Sequence, residues 1–159
     1  MATLLSEPKD EQLEVTREEM INLLNDDLSR EYQSIIAYTV YSQVIKGAEF
    51  MQIAGELKRH AAEELNHALK ISQQIDYLGG MPTTLPKPVK TSEDAREMLK
   101  FDLENEQETV RAYRMRIRQA EAMGEFALSE ILREIIVQEQ EHEIDLATAL
   151  GIMVPEARN

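Results

Sequence analysis

The sequence predicts an all-α chain folded as a four-helix bundle, with one long crossover between the second and third helices. Two observations carry this reading. The 159 residues include only 6 Gly and 5 Pro, and these gather at a few breaks between long runs rich in Ala, Leu, Ile, Glu, Gln and Arg, which favour helix. Within the runs, apolar residues recur at steps of three and four, the period of one helical face. The length suits one domain with its own core.

The elements follow in order. Residues 1–15 are polar and acidic and read as an N-terminal tail. Thr16-Arg17-Glu18-Glu19 fits a capping box, so the first helix starts near Thr16 and runs to about Lys46, with Gly47 as its C-cap. The second spans about Glu49 to Leu78 and stops at Gly79-Gly80. MPTTLPKPVK follows, and its three prolines exclude helix. Thr91 or Ser92 is expected to cap the third helix, which reaches Met123 before Gly124 breaks it. The fourth covers Glu125 to Leu150, and residues 151–159, with Gly151 and Pro155, form a short tail.

Short turns join helices one and two, and three and four, so each pair is an antiparallel hairpin. The link Gly79–Thr91 reaches some 43 Å at about 3.3 Å per residue. A 30-residue helix is about 45 Å long. The link therefore matches the bundle length and permits helices two and three to run parallel.

Composition narrows the function. A net charge of −13 argues against nucleic acid as a partner and suits cation handling. With no Cys, disulfides, thiolate metal sites and iron–sulfur clusters are excluded. No run approaches the ~20 apolar residues of a membrane span. The N-terminus lacks the basic and apolar regions of a secretion signal, so the expected location is cytoplasmic.

The apolar stripes are each broken near mid-helix by charge. Helix one reads Met20, Leu24, Leu28, Ile35, Tyr38, with Glu31 in the gap. Helix two reads Phe50, Ile53, Leu57, Ile71, Leu78, interrupted by His60, Glu64 and His67. Helix three reads Leu99, Leu103, Val110, Tyr113, Ile117, interrupted by Glu106. Helix four reads Leu128, Ile131, Ile135, Leu146, Leu150, interrupted by Glu139 and His142. The chain also repeats: a shift of 75 positions carries Glu31, Tyr38, Glu64 and His67 onto Glu106, Tyr113, Glu139 and His142. One hairpin thus reads as a copy of the other about a pseudo-two-fold axis, which brings both sets of polar groups to the bundle centre.

Four carboxylates and two imidazoles in an apolar core repel and resist ionising unless compensated. Two divalent cations balance the four charges, and oxygen and imidazole donors suit iron, manganese or zinc. A single Glu-x-x-His on a Glu-rich helix carries little meaning. The duplicated spacing and four interrupted stripes point to a two-metal site. One Glu from each of two helices, and Glu-x-x-His from each of the others, is the pattern of di-iron and di-manganese carboxylate bundles.

On SREYQSIIAY around Glu31, EELNHA around Glu64 and His67, DLENEQ around Glu106 and EQEHEIDL around Glu139 and His142, the chain resembles the ferritin superfamily. The resemblance covers residues 17–150 and is nearest to bacterioferritins and Dps-like ferritins. It implies a ferritin-like bundle with a ferroxidase centre holding two iron ions per chain, manganese and zinc being the alternatives. By that resemblance Glu31 and His67 hold one iron, Glu106 and His142 the other, and Glu64 and Glu139 bridge them. Tyr38 and Tyr113 fall where such proteins keep tyrosines near the site.

Departures from the family pattern also inform. Bacterioferritins hold haem through a Met directly after the bridging Glu of helix two; that position is Leu65, so no haem is expected by that mode. The 17 residues after His142 leave no fifth helix of the kind found in 24-subunit ferritins, which favours a Dps-like 12-subunit shell over 24. The acidic tail and the site within the bundle set the chain apart from Dps proteins that bind DNA, and no DNA binding is expected.

His60 has no counterpart in the repeat, because the matching position is Ile135. It reads as a hydrogen-bonded neighbour of the centre, with iron transit as the alternative. Glu49, Glu56 and Glu63 are candidates for an acidic route, but the sequence does not orient them. The leading expectation is a ferroxidase that oxidises Fe(II) with O₂ or H₂O₂ and stores the ferric product in a homo-oligomeric shell. The alternatives are a stand-alone di-metal redox enzyme (oxidase, peroxidase or manganese catalase) and a bundle with a structural metal.

Overall fold

A computed structural model of the chain describes residues 12–154. It contains four long helices: α1 (Arg17–Val44), α2 (Met51–Tyr77), α3 (Ala95–Ala122) and α4 (Phe126–Leu150), with a short 3₁₀ turn at Ala48–Phe50 before α2. No strand occurs among the described residues. The expected tails lie partly outside them, at residues 1–11 and 155–159. Of the N-terminal segment that is described, Val15 packs against the core, and the Gln12 carbonyl accepts from Gln119 Nε2 at 2.9 Å.

Local chemistry sets the helix ends. At α1 the capping box is complete: Thr16 Oγ1 accepts from Glu19 N at 3.1 Å, and Glu19 Oε2 accepts from Thr16 N at 2.7 Å. Two expected caps differ. The start of α3 is capped by Asp94, not Thr91 or Ser92, because Asp94 Oδ1 accepts from both Arg96 N and Glu97 N. A carboxylate also complements the helix dipole there. Ser92 instead accepts from Asp94 N at 3.0 Å and donates to Glu97. At the other end of α1 the helix stops at Val44 with Ile45 extended, and Gly47 (φ 120°) lies in the connection. At Gly79 (φ 90°) and Gly124 (φ 77°) the chain turns left-handed, which glycine adopts without steric cost. There Gly80 N reaches Ile75 O, and Glu125 N reaches Ala120 O, each at 2.9 Å, closing the ends of α2 and α3.

The crossover climbs along α1. Met81 O accepts from Asn25, Lys87 N donates to Ser29 O, Pro88 O accepts from Gln33, and Lys90 O accepts from the Tyr41 hydroxyl. The link therefore travels in the direction of α1, returns to the end where α2 began, and sets α3 parallel to α2. α1 packs on α2 and α3, and α4 packs on α3 and α2.

The apolar core is divided. One cluster, with Met20, Leu24, Leu28, Ile71, Ile75 and Leu132, fills one end of the bundle. A second, with Tyr41, Phe50, Ile53, Leu99, Leu103 and Leu146, fills the other. Burying each such side chain contributes about 1.5–3 kcal/mol. The stability this supplies holds a polar layer between the two clusters.

Candidate metal centre

Each helix delivers its mid-helix polar residue to that layer. Glu31, Glu64, His67, Glu106, Glu139 and His142 are all at most 2% exposed. The Glu-x-x-His spacing stacks Glu64 with His67, and Glu139 with His142, one turn apart on one face.

The histidines aim one nitrogen inward. His67 Nδ1 lies 3.0 Å from Glu64 Oε2, 3.2 Å from Glu139 Oε1 and 3.6 Å from Glu31 Oε2. His142 Nδ1 lies 2.9 Å from Glu64 Oε1, 3.3 Å from Glu139 Oε2 and 3.8 Å from Glu106 Oε1. Glu64 and Glu139 therefore face both imidazoles, whereas Glu31 and Glu106 each face one. Two four-residue groups result, Glu31/Glu64/His67/Glu139 and Glu64/Glu106/Glu139/His142, and within each the ligand atoms lie within 4.8 Å of one another.

The outer nitrogens are held. Gln138 Oε1 sits 2.6 Å from His67 Nε2, and Glu63 Oε2 sits 2.7 Å from His142 Nε2. Such contacts fix the ring and its tautomer. The tyrosines cross between halves: the Tyr38 hydroxyl donates to Glu106, and the Tyr113 hydroxyl donates to Glu31.

Charge in this layer is unbalanced. Burial, then Glu139 and Glu31, pushes the Glu64 carboxyl well above the usual range. Burial and Glu139 push Glu106 up to about 7. For Glu31 burial acts upward too, but contacts with Glu64, His67 and Tyr113 outweigh it and hold the group low. Burial lowers the affinity of His67 and His142 for protons, yet the surrounding carboxylates raise both above the usual imidazole range. Protons thus stand in for missing positive charge. Glu31 Oε2, Glu106 Oε2 and Glu139 Oε2 are buried without any hydrogen-bond partner, and such atoms are costly to leave so. Oxygen and imidazole donors with unfilled acceptors fit divalent iron, manganese or zinc.

His60 stands one turn from Glu64, fully buried. Its ring stacks on that of His142 with centroids 4.0 Å apart, and its Nε2 is 3.0 Å from Asp145 Oδ2. It belongs to neither four-residue group.

Sequence reasoning missed several polar residues around the layer. Asp27 and Asp102 are buried one turn before Glu31 and Glu106, and Arg116 is buried against Asp27. Gln138 and Asp145 also escaped notice, and Glu63 remained unoriented. A signal existed: the same shift of 75 positions pairs Asp27 with Asp102 and Glu63 with Gln138.

A family model for the ferritin-like domain matches residues 21–153. A bacterioferritin from Rhodobacter capsulatus is 28% identical over 135 residues, covering 84% of this chain and 83% of its own. Among solved structures, a ferritin-like diiron-carboxylate protein from Bacillus anthracis has a TM-score of 0.81 and 34% identity, over 84% of this chain and 96% of that one. The bacterioferritin-related dodecameric thioferritin of Bacteroides fragilis has a TM-score of 0.80 and 27% identity, over 87% and 88% of the two chains.

Proposed function

This chain belongs to the ferritin family, as a bacterioferritin-related four-helix protein, and on that premise we propose that it oxidises Fe(II) at a di-iron ferroxidase centre and stores the ferric product in an oligomeric shell. The observation that carries the reading is the pair of four-residue groups sharing Glu64 and Glu139. In this reading Glu31 and His67 hold one iron, Glu106 and His142 the other, and Glu64 and Glu139 lie between them. Bridging carboxylates set metals some 3.5–4 Å apart in two-metal sites.

Iron is the substrate. Two Fe(II) give up two electrons, which with two protons reduce O₂ to H₂O₂, or H₂O₂ to two waters. The residues contribute position and charge. Four carboxylates stabilise the more highly charged ferric pair, Tyr38 and Tyr113 fix the terminal carboxylates, and Gln138 and Glu63 fix the imidazoles. The apolar clusters at either end keep bulk water from the layer.

Assembly into a shell is supported by the dodecameric relative and by exposed apolar residues at steps of four along α1: Ile36, Val40 and Val44. Those side chains suit contact with further copies of the chain. The 12-subunit form is favoured over 24. Haem through the position after Glu64 is not expected, because Leu65 carries no sulfur donor. The net charge of −13 argues against DNA as a partner. No described helix is long and apolar enough to cross a membrane, and a cytoplasmic location remains the working assignment.

The test replaces both bridging carboxylates. Glu64→Gln with Glu139→Gln should leave the protein helical and assembled while Fe(II) oxidation falls to the rate of free iron in buffer. Oxidation at the parent rate in the double variant would overturn the proposal.

A further inference from the structure

The two halves of the chain serve as controls for one another, and outside the centre they diverge. The geometry points to a third divalent-cation site formed by Glu56, His60 and Asp145, which passes metal to the His142 side of the centre. Each of these residues offers one ligand atom, and the three atoms lie within 4.8 Å of one another.

Two further observations single this cluster out. First, His60 is fully buried with Nε2 aimed at Asp145 Oδ2, 3.0 Å away, while its Nδ1 has no hydrogen-bond partner. The repeat shows that packing does not require a histidine here. The positions matching Glu56 and His60 are Ile131 and Ile135, and the position matching Asp145 is Lys70. In the other half, two isoleucines and an ammonium paired with Glu134 at 3.2 Å replace the whole donor set. Burying an incompletely bonded imidazole where isoleucine fits costs stability.

Second, the cluster lies between solvent and the centre. A cleft of about 300 Å³ between α2 and α4 is lined by Glu49, Gln52, Glu56 and Asp145 among others. On the inner side the His60 ring stacks on His142. Glu63, the partner of His142 Nε2, is the next acidic group inward, and its counterpart in the other half is the neutral Gln138. The acidic path therefore serves one metal position only.

A cation already holds these carboxylates together. The Arg59 guanidinium lies 2.7 Å from Glu56 and 3.1 Å from Asp145, and also contacts Glu63. Its side chain is 46% exposed, so it is free to swing outward. A divalent ion takes over the contacts to Glu56 and Asp145 when Arg59 leaves. Arg59 thus competes with metal for the site.

The binding claim does not depend on ferroxidase activity, whereas the transit claim rests on that reading. Crystals soaked in Zn(II) and measured at the zinc edge test the first. Anomalous peaks are expected at both positions of the centre and at a third touching Glu56, His60 and Asp145. In Glu56→Gln with Asp145→Asn the third peak should vanish and the central pair remain. Arg59→Gln should raise its occupancy. No third peak in the parent protein, or one that survives the double substitution, would overturn the site. Loss of the central peaks would instead count against the di-metal reading. Transit is tested by stopped flow at low Fe(II): the double variant should oxidise iron about tenfold more slowly, the lower end of what electrostatic focusing supplies, with the central pair still filled at saturation. An unchanged rate would overturn the transit role.

Discussion

Asp27 and Asp102 occupy equivalent positions in the two halves of the chain, and only Asp27 has a buried cation. Its Oδ2 accepts from Arg116 Nε at 2.7 Å, and its Oδ1 accepts from Arg30 Nη2 at 2.8 Å. Among the described residues no cation pairs with Asp102, whose Oδ2 has no hydrogen-bond partner. Burial, then Glu106, pushes its carboxyl well above the usual range, which favours the neutral form. Asn is close to a copy of a neutral Asp. Asp102→Asn is therefore expected to change unfolding free energy by less than about 1 kcal/mol. Arg116→Met leaves a buried carboxylate short of its partner and should cost about 3–5 kcal/mol. Guanidinium unfolding at matched protein concentration compares them, and equal costs would contradict the asymmetry.

Tyr38 and Tyr113 each donate to a terminal carboxylate of the opposite half. Tyr38→Phe and Tyr113→Phe should still bind metal at both positions, but about 10- to 100-fold more weakly, the usual effect of removing a hydrogen bond that orients a ligand. Anaerobic titration with Co(II), followed by its visible absorption, reads both affinity and stoichiometry. Unchanged affinity in both variants would remove the tyrosines from the site's support.

Metal binding should release protons. Without metal, Glu64, Glu106, His67 and His142 are all shifted toward their protonated forms, and an incoming ion must displace those protons. The sign for the metal-free fold follows from the raised value of Glu106. Its stabilising contribution is complete below its ordinary value of 4.5 and is lost as pH rises through about 7. Through this group, metal-free protein should thus lose stability as pH rises from about 4.5 to about 7, while metal affinity rises over the same interval. Calorimetry in buffers of different ionisation enthalpy reads the proton count directly. A binding heat independent of buffer would contradict the account.

Much of this was legible in the sequence because two signals reinforced each other. The step of three and four placed Glu31, Glu64, Glu106 and Glu139 on the core face, and the shift of 75 positions showed that they recur with their histidines. All six residues meet in one layer. Helix ends were less legible. Asp94 displaced Ser92 as the cap of α3 because nearby Asp and Ser side chains compete for the same amides, and sequence does not rank them. The polar residues supporting the layer were harder still. Arg116 reads as a surface residue on any helical wheel, and only contact with Asp27 from another helix makes it a buried one. Asp145 likewise gains its meaning from His60, on a different helix.

The most direct measurement adds Fe(II) anaerobically in steps to metal-free protein, then admits O₂ and follows oxidation by absorbance while sizing the particle. The account predicts rapid oxidation continuing well beyond about two Fe per chain, inside a large hollow assembly. Oxidation that stops at about two per chain, in a small oligomer, would contradict storage and mark the chain as a di-metal enzyme of another kind.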